Sequence, residues 1–168
     1  MSGLASIRAL LAYDRSVLGR FERSLRRRGW KEATRNHEIG HRSLKNTLVH
    51  ILNVREAWLV AIDQGKWEVF DAPGRRPEAI ESWAALATYR DYVWAAVDPW
   101  VARLTDRELH HRIKAPWMPG KYTVADSFLQ ASYEQAHHLG EIIAVFWQQD
   151  WPPPPMTWIE NSTGRPRG

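Results

Sequence analysis

The chain has 168 residues, a length for one domain that buries about two-thirds of its unfolded surface. It contains no cysteine, which excludes disulfides, thiolate metal ligands and cysteine nucleophiles together and fits a reducing cytosol. The formal net charge is +4, no apolar run is long enough to cross a bilayer, and the N-terminus lacks the charged-then-apolar pattern of a signal peptide.

Leu4, Ile7, Leu11, Asp14, Leu18, Phe21 and Leu25 recur every three or four residues, so the first segment is an amphipathic helix. Asp14 places a carboxylate in its apolar stripe. It needs a partner there, unless it is a solvated seam residue. Arg26, Arg27 and Arg28 precede Gly29 and read as the cationic last turn of this helix. A basic stripe interleaved with stacking aromatics, which nucleic-acid binding would need, does not accompany them, and no nucleic-acid partner is expected.

Residues 29–42 lose the periodicity and read as a loop. Within it His37-Glu38-Ile39-Gly40-His41 matches the H-E-x-x-H pattern of zinc peptidases, which requires a helix to bring the two imidazoles together. The motif has no apolar face, holds Gly40 in its interior and lies just before a good N-cap, so it is set aside. Ser43 caps a second helix through Leu48, Ile51, Val54, Trp58 and Ile62 that stops near Gly65. A long Pro- and Gly-rich connection leads to a third helix carrying Trp83, Leu86, Val93, Val97, Val101 and Leu104, where Pro99 is expected to kink or split it. His110 and His111 fall in a charged stretch and are read as surface residues. Thr123 caps a fourth helix from about Val124 to Gln149, and Pro152 to Pro155 begin an extended tail. No alternating strand pattern is convincing. The ten tryptophans scatter through helices and loops as packing and anchoring groups. The expectation is an all-α four-helix bundle over residues 1–151, with a tail at 152–168 and room for a crossover between the second and third helices.

On the fourth helix Glu134 and His138 are four residues apart and stack on one face, with Ser127, Ala131, Ile142 and Val145 beside His138. His137 points about a quarter-turn away toward a more polar surface. A buried imidazole beside a buried carboxylate calls for a cation or an ion pair, and either a metal ion or a plain Glu–His pair satisfies it. His50, among Thr47, Val54, Ala57 and Ala61 on the second helix, has the same kind of small-residue face. Asn46, Asn53, Asp14, Tyr133 and Glu141 are possible outer groups that orient the imidazoles.

Three stretches, LLAYDRSVLGRF, SLKNTLVHILNVREAWL and YTVADSFLQASYEQAHHLGEIIAVFW, resemble the DinB/YfiT-like family in that family's order. The resemblance implies an up-down-down-up bundle, frequent homodimerisation, and a metal site with one histidine on the second helix and a His-x-x-x-His pair on the fourth. By position those residues are His50, Glu134 and His138, so a carboxylate replaces one imidazole. That carboxylate lowers the net charge of a divalent site and shifts the ligand set toward Mn, Fe or Ni, while Zn also accepts two histidines and a glutamate. Three protein ligands leave positions open, as in catalytic rather than structural sites. The resemblance further implies an enzyme acting on a small-molecule substrate, either a hydrolase that activates water or a transferase that activates a low-molecular-weight thiol. The alternative is a non-catalytic bundle that binds a ligand or partner, its His/Glu trio being a structural network. A stress-linked DNA-binding module rests on charge and family name alone.

Overall fold

The buried stripe of the first segment forms a single helix, α1 (Gly3–Arg28), in the computed structural model, which describes residues 3–66 and 72–159. Gly29, at φ 90°, stops it after the three arginines, because left-handed backbone carries no penalty for glycine. The following segment is not wholly irregular. A short helix, α2 (Trp30–Thr34), forms where Ala33 is fully buried and Trp30 packs edge-on against Trp83, 5.1 Å between ring centres.

Ser43 caps α3 (Leu44–Arg55) by accepting from the Asn46 backbone N–H at 3.1 Å. The helix then passes through one π-helical turn, Glu56–Val60, into α4 (Ala61–Gln64), and ends at Gly65 with φ 66°. The connection beyond is pinned back onto α3. Asn53 donates to the Arg75 carbonyl at 3.1 Å, Lys45 to that of Pro77 at 2.6 Å, and the Arg75 guanidinium lies 3.2 Å from Glu56. Tyr89 closes this cluster, its hydroxyl 2.6 Å from Glu56 and 2.7 Å from Asn53. Burial first, and then the Glu56 carboxylate, push the Tyr89 phenol far above its ordinary range.

Tyr89 belongs to α5 (Trp83–Arg103), capped by Ser82. Pro99 lies inside α5 without splitting it. One missing ladder bond is tolerated where Val97, Trp100 and Val101 are all buried around it. Two short strands, β1 (Arg112–Ile113) and β2 (Tyr122–Thr123), pair antiparallel with Arg112 opposite Thr123. They were not expected, since two residues are too few to show an alternation. They deliver Thr123 to the start of α6 (Val124–Gln148), where it forms a reciprocal capping box with Asp126.

The chain is thus predominantly helical. α6 packs on both α1 and α3, and α3 also meets α5. At their junction Arg55 is fully buried. It donates to Asp14 at 2.9 Å and to Gln135 at 3.0 Å, while Ser132 donates to the same Asp14 oxygen at 2.6 Å. The Arg55 guanidinium also lies 4.8 Å from the centre of the Trp94 ring. Asp14 is therefore a core ion-pair partner, its Oδ2 taken by Arg55 and Ser132 rather than by a histidine it was a candidate to orient. No described helix is long and apolar enough to cross a membrane.

Candidate functional site

The loop between α2 and α3 is folded by two residues at positive φ, Glu38 (59°) and Arg42 (67°). The His37 N–H donates to the Arg42 carbonyl at 2.6 Å, and Arg42 N–H to that of Ile39 at 2.7 Å, which closes the loop on itself. Asn46 on α3 then donates its side-chain amide to the His41 carbonyl at 3.1 Å and holds the loop over the helix. His37 and His41 are not on a helix and do not converge. His37 turns toward the Glu32 carbonyl, 3.0 Å away, while His41 turns the other way.

His41 stacks on His50, ring centres 3.9 Å apart and planes 25° from parallel. His138 meets both edge-on, at 4.9 Å from His41 and 4.6 Å from His50. One ring nitrogen from each of these three lies within 4.8 Å of the other two. His50 and His138, placed by helical spacing, do come together. The third imidazole comes from a loop that spacing rejected. His137 is exposed on the neighbouring face, as its quarter-turn offset requires.

Glu134 stands against this trio without joining it. Its Oε2 is 3.4 Å from His138 Nε2, and its Oε1 accepts from the Gln130 amide at 2.8 Å. On the other side of the ring, His138 Nδ1 is 2.9 Å from Glu141 Oε2. A carboxylate there favours the proton on Nδ1 and leaves the Nε2 lone pair directed at the cluster. The space Glu141 occupies depends on Gly40, because a Cβ at that position would lie 3.0 Å from Glu141 Oε1. Of the other outer candidates, Asn46 holds His41 through its backbone. Asn53 belongs to the Tyr89 cluster, and Tyr133 is 73% exposed.

Burial first, and then the neighbouring His41 and His138 rings, push His50 down to about 4. His41 is also lowered, by burial and then by His138, against the opposing pull of Glu141 and Glu134. Both are therefore neutral at pH 7 with lone pairs available. Neither ring takes a hydrogen-bond partner among the described residues. Three convergent imidazoles, two held neutral by burial and one oriented by a carboxylate, form a donor set that fits a divalent transition metal. A groove of about 470 Å³ between α1 and α5, lined by Arg8, Leu11, Arg15 and Asp98, shares no residue with it.

Periodicity carries no information about a loop, and so it does not find His41. The available signal was a histidine beside Gly40, two residues before the Ser43 N-cap of the helix that holds His50. A family model described as the DinB superfamily matches residues 15–142, a span that includes His41, His50, Glu134, His138 and Glu141. No curated protein matches the chain.

Proposed function

The chain belongs to the DinB superfamily, and from that premise we propose that His41, His50 and His138 hold one divalent metal ion in a metal-dependent enzyme. The single observation that carries this reading is the convergence of three ring nitrogens within 4.8 Å, from a loop and two helices. His41 then supplies the imidazole that the resemblance expects at position 134. Glu134, expected as a ligand, becomes the carboxylate at the margin of the site.

A divalent ion held by these three imidazoles would supply a Lewis acid for water, a small thiol or a substrate oxygen. The protein's own residues supply the rest. Glu141 fixes the orientation of His138, and Gly40 leaves Glu141 its place. Glu134, oriented by Gln130, offers its second oxygen beside His138 as a proton acceptor for a nucleophile brought to the site. This chemistry suits hydrolysis or transfer from a low-molecular-weight thiol, on a small-molecule substrate. Zn, Ni, Mn and Fe are all compatible with a three-imidazole set, which is softer than the two-imidazole, one-carboxylate set expected from spacing.

The same reading takes the fold to be a four-helix bundle of up-down-down-up order. α1, α3, α5 and α6 are its members, with a crossover between Gly65 and Ser82 and a proline-rich tail after residue 151, of which residues 67–71 and 160–168 lie outside the described ones. The lack of cysteine supports a cytoplasmic setting, and two copies are taken to pair.

Metal analysis of the purified chain tests the site. One ion per chain is expected, with at least a tenfold loss in His41→Ala, His50→Ala and His138→Ala. Glu134→Gln separates the two ligand sets, because it should retain the ion where His41→Ala does not. Absence of stoichiometric metal in the parent, or equal metal in the histidine variants, defeats the reading. Melting that is indifferent to chelator would assign the trio to a structural network.

A further inference from the structure

Arg20, Arg23 and Arg27 follow one another along the outward side of α1, and they face Pro152 to Pro155 across a groove of about 330 Å³. The groove shares no residue with the histidine cluster. Its far wall is fixed in place, because the segment after α6 runs back along α1. Trp151 packs edge-on against Phe146, 5.5 Å between ring centres, and the Arg28 guanidinium lies 4.7 Å from the centre of the Trp151 ring. Arg20 donates to the Pro155 carbonyl at 2.9 Å, and the Tyr13 hydroxyl donates to that of Met156. Proline has no N–H, so this wall offers rings and carbonyls and donates nothing.

The α1 wall carries charge that nothing answers. Elsewhere on this helix the arginines have partners: Arg26 meets Glu22 at 2.8 Å, Arg15 pairs with Asp98, and Arg8 donates to the carbonyls of Val101 and Ala102. Arg23 and Arg27 meet no carboxylate among the described residues. The helix dipole accounts for cations in the last turn, and Arg23 lies before it. Gly19 makes room for Arg23. A Cβ there would stand 3.2 Å from Arg23 Nη1, so the guanidinium lies back along the helix over the glycine. Ser24 lines the groove as well. It is only 4% exposed, and its hydroxyl has no hydrogen-bond partner among the described residues. A serine inside a helix ordinarily returns its hydroxyl to a carbonyl one turn back, as Ser127 does to Val124 at 2.6 Å. Ser24 instead keeps its donor in the groove, beside two uncompensated guanidiniums, where a polar group without a partner is costly.

We propose that this groove binds a small phosphate monoester, with the phosphate on Arg23, Arg27 and Ser24 and the organic part along the proline rings. The proposal does not rest on the metal site. A phosphate monoester carries a charge of about −1.5 to −2 at pH 7 and three strong acceptor oxygens. Two guanidiniums and a hydroxyl answer both the charge and the oxygens, and the planar N–H pairs of arginine suit phosphate geometry. A carboxylate carries a single charge and would leave one guanidinium unanswered. The proline rings give the rest of the ligand an apolar surface, which inorganic phosphate would not use. A nucleic-acid backbone needs cations along an open face, whereas here the tail covers one side of the row and occupies Arg20.

Titration calorimetry of the full chain with phenyl phosphate tests the site. A Kd below ~1 mM is expected, and inorganic phosphate should bind several-fold more weakly. Arg23→Gln and Arg27→Gln should each weaken phenyl phosphate by about 10–100-fold with the circular dichroism of the parent. Arg27→Lys keeps the charge without the planar fork and should lose less. Ser24→Ala should cost about tenfold or less. Arg107→Gln, at an exposed arginine outside the groove, should bind as the parent does. Binding should persist in His50→Ala, which separates this site from an anion taken by a metal ion. No binding at ~10 mM phenyl phosphate overturns the proposal, as does equal affinity in the parent and both glutamine variants. Binding lost in His50→Ala but kept in Arg27→Gln would give the anion to the metal site instead. Affinity for a single-stranded oligonucleotide at moderate salt, with none for phenyl phosphate, would give the face to nucleic acid.

Discussion

Two buried polar clusters lie between α3 and α6, and they solve the problem of burial in opposite ways. Around Arg55 the positive charge is answered by Asp14, and Asp14 is answered again by Ser132. Opposite charges are matched inside the chain. Around His50 the solution is to carry no charge: burial and neighbouring rings hold it neutral, and three rings gather with one nitrogen of each within 4.8 Å of the others. The first cluster matches its charges within the chain through one guanidinium nitrogen, Nη2, while Arg55 Nε and Nη1 are buried without a hydrogen-bond partner among the described residues. The second carries two carboxylates at its margin, Glu134 and Glu141. Burial of polar groups by itself therefore says little, whereas matched charges in one cluster and convergent ring nitrogens in the other separate a core brace from a candidate site.

The largest effect expected from this contrast is on the closed side. Asp14→Ala strands the Arg55 charge and should cost about 3–5 kcal/mol by urea unfolding. Adding Arg55→Met should restore part of that loss. A cost of Asp14→Ala within error of zero would erase the distinction between the clusters. On the open side, His50→Ala should leave metal-free stability almost unchanged. It should abolish the ~2.7 kcal/mol of stabilisation that a metal gives at a hundred times its Kd, read as the shift in Tm on metal addition. Glu141→Gln keeps the fold but weakens the acceptor at His138 Nδ1, and metal affinity should fall about 10–100-fold in a competition titration.

Protonation probes the same contrast more gently. The His50 value falls from 6.5 to about 4 on folding, so between those limits the unfolded chain binds more protons. Stability of the metal-free protein should be complete above about pH 6.5 and decline as pH drops toward 4. His50→Ala should flatten that decline, as measured by the denaturation midpoint across the window. The smallest change is Gly40→Ala. Its Cβ, 3.0 Å from Glu141, asks the carboxylate to shift by a few tenths of an ångström. Affinity should drop by less than in Glu141→Gln, and an equal or larger drop would mean that the loop, rather than the carboxylate, orients His138.

How much is legible in the sequence depends on the range of the forces involved. The stripe of α1, the caps at Ser43 and Thr123, and the choice of His138 over His137 depend on neighbours within a turn or two, and periodicity reports those. Asp14 shows its need for a partner, but Arg55 lies 41 residues away and nothing local names it. Spacing places Glu134 beside His138, and it is there, yet the third convergent ring belongs to His41. That ring reaches the cluster only because Glu38 and Arg42 adopt positive φ and Asn46 catches the loop backbone. Such backbone choices are made by closure of the whole loop, and non-glycine residues at positive φ leave no compositional mark.

The π-helical turn at Glu56–Val60 has a consequence for how this chain tolerates change in length. One such turn holds one residue more than an α-helical path would, and each inserted residue rotates the helix downstream of it by ~100°. His50 and Arg55 both precede it, so the rotation falls on α4 and the connection beyond. The helix thus contains a register buffer. On its upstream side the facing of the imidazole and the guanidinium is fixed. On its downstream side a residue gained or lost re-aims the lead into the crossover and leaves both clusters undisturbed.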